Sequence, residues 1–107
     1  MTLPPEQTAH LRNKLIAEQQ KLRIEISALK QTEAEKADCS LTDSADAAAF
    51  LERRHRAQSL RTHHEATLVE IDAALARIDN GRYGISTTTG EPIPFERLDL
   101  VPWARTE

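Results

Sequence analysis

Aromatic residues are scarce in this chain. They make up 4% of its 107 residues, with one Trp, one Tyr and two Phe. Sheets of the sandwich or barrel kind draw on aromatic and β-branched side chains far more heavily, which argues against a thick, round β core. Cysteine is nearly missing too. Cys39 is single, so it forms no internal disulfide and cannot build a thiolate zinc site, which takes several ligands. No apolar run approaches the roughly 20 residues that a bilayer-spanning helix needs. The opening Met1-Thr2-Leu3-Pro4-Pro5-Glu6 lacks a basic stretch followed by an apolar one, so a reducing, cytoplasmic location is expected. Basic excess is also missing. Fourteen Lys and Arg against 17 Asp and Glu leave a net charge of −3, unlike a protein that grips nucleic acid by bulk charge.

One further absence organises the chain. No glycine or proline lies between Glu6 and Asn80, whereas Gly81, Gly84, Gly90, Pro92, Pro94 and Pro102 crowd the end. Gly and Pro are the strongest helix breakers, so the long stretch is free to be helical and the end is turn-rich. Leu11, Leu15, Leu22, Ile26 and Leu29 share one helical face. Further on, Phe50, Ala57, His64, Ile71 and Ile78 recur every seventh residue, with Leu68 and Leu75 three residues behind the last two. Narrow apolar seams in charged helices are the pattern of a coiled coil. Between the seams the stripe fails, and Ser40, Thr42, Asp43 and Ser44 offer N-caps for a helix that starts near Ala45. The expected fold is mostly α: an antiparallel helical hairpin over 1–80 with its tip at about 37–44, then a small knuckle over 81–107. Arms of roughly 30–35 residues would be about 45–50 Å long.

The turn-rich end reads Gly81-x-Tyr83-Gly84, Gly90-Glu91-Pro92-Ile93, Arg97-Leu98 and Pro102, and the tip reads Asp43-Ser44-Ala45-Asp46-Ala47-Ala48. Both resemble the DksA/TraR family of bacterial proteins, the first its C-terminal knuckle and the second its D-x-x-D-x-A tip motif. The resemblance implies a regulator that binds RNA polymerase, protein to protein, with no sequence-specific DNA contact. It implies that the hairpin enters the secondary channel and that Asp43, Asp46 and Ala48 at the tip change the stability of promoter complexes. Expected companions of that reading are a monomer, no membrane association, no cofactor and no enzymatic activity of its own.

Two departures from the family pattern matter. The family knuckle holds zinc with four cysteines; here the first pair falls on Ser86 and Thr89, the third on Glu107 and the fourth beyond. Hydroxyls are poor structural zinc ligands, so a degenerate, metal-free finger is expected. Packing must then hold it, through Tyr83, Gly84, Gly90, Ile93, Arg97, Leu98 and Trp103, with Trp103 taking over part of the metal's structural role against the hairpin base. Second, the positions with which some relatives hold guanosine tetraphosphate read His63 and Glu70, so that ligand is not carried over.

The remaining candidates have plainer readings. Asp43 and Asp46 suit a helix start by capping and by the helix dipole, a role compatible with one at the tip. His63 and His64 are adjacent, not four apart as helical metal sites require, and His64 suits a polar, register-fixing seam position. Arg53-Arg54-His55-Arg56 suits a solvated face paired with Glu52. Nothing beside Cys39 points to a lowered thiol pKa. Two rival functions remain: a self-associating coiled-coil scaffold, and a Gre-like transcript-cleavage factor whose tip acids hold Mg²⁺.

Overall fold

The computed structural model describes residues 3–35 and 44–106. Two long helices, α1 (Pro5–Ala34) and α2 (Ser44–Asp79), lie side by side, and a short third helix, α3 (Phe95–Leu100), follows in the turn-rich segment. The molecule measures 63 × 23 × 20 Å, a rod with a thicker base. Among the described residues there is no strand, only one isolated antiparallel bridge between Ile85 and Pro92. No helix among them is long and apolar enough to cross a membrane.

The helices form where breakers are missing and stop where they return. α1 opens with Pro5 in its first turn, where a missing N–H costs nothing. α2 ends in a Schellman turn: the Arg82 N–H bonds the Arg77 carbonyl at 2.8 Å and the Gly81 N–H bonds the Ile78 carbonyl at 3.2 Å. Gly81 sits at φ +72°, the left-handed position such an ending demands.

The apolar seams face one another. Leu11, Leu15, Leu22 and Ile26 of α1 are buried, as are Ala57, Ile71 and Ala74 of α2. Leu29, Phe50, His64, Leu68, Leu75 and Ile78 are half-buried, so every seam position expected from the sequence turns inward. The core is concentrated at the base. There Leu11, Leu15, Leu22, Ile71 and Ala74 form one cluster with Tyr83, Ile93, Leu98 and Ala104 of the C-terminal segment. Hairpin and knuckle thus share a single core.

α3 and the Ile85–Pro92 bridge are not foreseen from the sequence. Trp103 packs against the cluster at the hairpin base, half-buried at its edge. It borders a cavity of about 280 Å³ between α1 and the chain end, lined by Lys14, Ala17, Glu18 and Leu100 among others. The central aromatic place belongs instead to Tyr83, which is 5% exposed. Tyrosine fits there because its hydroxyl reaches a buried carbonyl, that of Pro102, at 2.7 Å.

Leu98 and Leu100 share α3 but differ in burial, fully enclosed against 81% exposed. Leu98→Ala should destabilise the protein by about 2–5 kcal/mol, and Leu100→Ala by about 0.5 kcal/mol or less, in urea unfolding of the two variants.

Candidate functional site

The candidate residues fall into two groups at opposite ends of the rod. At the distal end, Asp46 and Ala48 lie in the opening turns of α2, and both are exposed. Two residues apart on a helix, they point to different sides. Asp46 carries its charge in the first turn, where the helix dipole favours it. Asp43 and Cys39 lie outside the described residues.

Polar contacts tie the arms between these ends. His64 Nε2 lies 3.1 Å from Glu25 across the hairpin, in line with a polar seam position that fixes register. Gln19 donates to Asp72 at 2.6 Å. Arg61 donates from Nη2 to Glu33 of α1 at 3.1 Å and from Nη1 to Glu65 of its own helix at 2.9 Å. Its Nε donates to the other Glu33 oxygen. The hydrogen bonds from Arg61 hold the Glu33 carboxyl below its ordinary pKa. Arg53 meets Glu35 at 3.4 Å and lies over the Phe50 ring, and Arg56 meets Glu52 at 3.4 Å, so two arginines of the basic run are paired on a solvated face. His63 is exposed beside His64, and Glu70 pairs with Arg105 at 3.0 Å, so a carboxylate, not a basic side chain, stands at position 70.

At the base, the knuckle is a web of hydrogen bonds. Gly84 accepts from Ile93 N–H at 2.7 Å, and Glu91 accepts from Ser86 N–H at 2.8 Å. Gly84 holds φ +85°, and a Cβ there would meet the Leu3 side chain at 3.1 Å, so both backbone and space call for glycine. Gly90 turns at φ +74° with open space around it. Thr87 N–H bonds the Arg105 carbonyl at 2.9 Å, which draws the chain end onto the turn. Arg77 reaches the Trp103 and Ala104 carbonyls, at 3.5 and 3.4 Å. Ile93 and Leu98 are buried, while Arg97 is exposed and acts through its backbone, its carbonyl accepting from Val101 N–H at 2.8 Å. On the α1 side Asp99 accepts from Lys14 at 2.8 Å and lies 3.3 Å from His10. Those two bonds, Lys14 first, lower the Asp99 pKa.

The donor set does not fit the zinc ion that the family resemblance implies. Ser86 is 3% exposed, and its hydroxyl oxygen already accepts the N–H groups of Thr88 and Thr89, both at 3.3 Å. Thr89 Oγ1 likewise accepts the Glu91 N–H at 3.3 Å. Among the described residues no three His, Cys, Asp or Glu side chains gather as metal ligands. The hydroxyls close the turn directly. This could be read from the Ser-x-x-Thr spacing, whereas the tie from Thr87 to Arg105 has no local signal.

The whole chain is similar to known proteins. General stress protein 16O of Bacillus subtilis (strain 168) is 32% identical over 108 residues, which takes in 98% of this chain and 66% of that protein. Uncharacterized protein YteA of the same organism is 41% identical over 61 residues, 57% of this chain and 26% of that protein. The chain therefore spans just under two thirds of the first relative and about a quarter of the second. Among solved structures, that of transcription factor DksA2 from Pseudomonas aeruginosa superposes with a TM-score of 0.77 at 30% identity, covering 95% of this chain and 78% of that one. No protein-family model matches.

Tyr83 is the sole tyrosine, so tyrosinate absorbance reports on it alone. Burial pushes its pKa up to about 12. The unfolded chain ionises near about 10, so the stability held by the neutral phenol is fully present below that pH and is lost as pH rises toward the folded value. A spectrophotometric titration should show a midpoint well above the one found in denaturant; coincident midpoints would place the ring in solvent.

Proposed function

We propose a function that follows from one premise: the chain belongs to the DksA-like family. On this reading it is a cytoplasmic, monomeric transcription regulator that binds RNA polymerase without sequence-specific DNA contact. The hairpin inserts into the secondary channel, and Asp43, Asp46 and Ala48 act near the catalytic centre on promoter-complex stability. The observation that carries the reading is the likeness to a transcription factor along nearly the whole chain, in a rod 63 Å long and little more than 20 Å across. Such a shape suits reach into a pore. The rival scaffold loses support because the seams are spent within one chain, arm against arm. The large apolar residues left exposed, such as Ile24, Leu51, Leu60 and Val69, are scattered along the arms.

The knuckle in this proposal is metal-free and serves as a fixed base. Elemental analysis of the purified chain should find no stoichiometric zinc, and chelator should leave its melting curve in place. One tightly bound zinc per chain would overturn the metal-free knuckle.

The tip is tested by the double change Asp43→Asn, Asp46→Asn, which keeps side-chain size and capping capacity. The variant should still bind polymerase but lose the wild-type effect on open-complex lifetime at a sensitive promoter, with a stability change of about 1 kcal/mol or less. Equal promoter-complex decay for variant and wild type, both shifted from the control, would refute an electrostatic tip. Wild-type chain that neither binds polymerase nor shifts decay would refute the reading as a whole. Mg²⁺-dependent shortening of RNA in stalled complexes would favour a cleavage factor instead.

A further inference from the structure

The two ends of the hairpin are held by different physics. Toward the base, the arms meet through fully enclosed leucine and isoleucine side chains: Leu11, Leu15 and Ile71 are 0% exposed. Beyond Ile26 on α1, and before His64 on α2, Ala57 is the only buried residue among those described. A methyl group supplies little hydrophobic stabilisation, roughly 1 kcal/mol or less by area. What spans the gap there is Arg61. Its guanidinium holds both oxygens of Glu33 on the opposite arm and one of Glu65 on its own. With side chains 23% and 18% exposed, Arg61 and Glu33 are the most enclosed Arg–carboxylate pair among the described residues; Arg56 and Glu52 on the outer face are about 70% exposed. Farther out, Arg53 and Glu35 meet at 3.4 Å with about half of each side chain in solvent.

We infer that Arg61 is an ionic latch: it closes a distal hairpin segment, around 27–34 of α1 and 50–61 of α2, that opens as a unit while the base stays folded. Stability in a rod of this kind is local, and a segment with few enclosed apolar contacts has a low opening free energy. The bidentate fork supplies geometry as well as attraction, so it fixes which residues of the arms face each other. Removing one partner leaves the other partly enclosed and unpaired, which is worse than removing both. The inference concerns the chain alone and holds or fails independently of the polymerase reading.

Hydrogen–deuterium exchange of the full chain tests it. Arg61→Met keeps the aliphatic stem and should speed exchange in the distal segment roughly tenfold, leaving the amides around Leu11–Leu22 and Ile71–Tyr83 unchanged. The double variant Glu33→Met, Arg61→Met should return distal exchange most of the way to wild type. Distal exchange unmoved by Arg61→Met, a rise shared equally by the base, or a double variant no slower than the single one would each overturn the latch. Arg61→Lys offers a milder change that retains the charge but not the fork. It should fall between wild type and Arg61→Met, and exchange as fast as in Arg61→Met would likewise count against the latch.

Discussion

The enclosed contacts between the two long helices are concentrated at one end, and that end is clamped. The clamp is the packing of the C-terminal segment into the base of the hairpin, where Leu98 and Ile93 complete the cluster begun by Leu11, Leu15 and Ile71. Tyr83 anchors the segment through its bond to Pro102, and Asp99 pins α3 to α1 through Lys14 and His10. With the base fixed, heptad spacing carries both arms outward in register. His64 against Glu25 and Arg61 against Glu33 then hold that register farther out along the arms.

In the small turn-rich knuckle, the hydroxyl side chains of Ser86 and Thr89 are already engaged in closing its turns. A zinc ion organises such a segment by binding side chains from two turns at once. Here the same closure is spread over many weaker bonds. Ser86 folds the first turn by accepting two backbone N–H groups, the Thr87–Arg105 pair brings in the chain end, and Arg77 caps two carbonyls of the last residues. Each is worth little alone, and the shared core with the hairpin makes the sum sufficient.

How much of this was legible follows from the range of each signal. The seams were, because burial on a helix repeats within a few residues and leaves its mark in spacing; Leu22, Ile26, Ala57 and Ile71 all face inward as the period demands. The end of α2 was legible in Gly81. Trp103 packs against the core at the hairpin base, as expected, but the most enclosed aromatic is Tyr83. The enclosed position needed an aromatic with a polar tip aimed at the Pro102 carbonyl, and only the fold reveals that carbonyl. Arg61 was illegible for a similar reason. Its partner Glu33 lies on the other arm, and the local spacing shows only the i,i+4 pair with Glu65, of the same kind as Arg56 with Glu52. Of the candidate tip residues, Asp46 and Ala48 lie in the opening turns of α2, and Asp43 lies outside the described residues.

The concentration of enclosed side chains at one end bears on how such a molecule can change over time. Most substitutions that unfold a protein do so by disturbing its core. Here the residues that hold the fold and those proposed to meet a partner sit at opposite ends of a 63 Å rod. Exposed positions near the start of α2, such as Asp46, Ala48 and Arg54, can be exchanged with little effect on Leu11, Ile71 or Leu98. Distant sites contribute almost additively, so a new tip chemistry need not be matched by repairs at the base. A hairpin of this design is a handle whose working end is free to diversify.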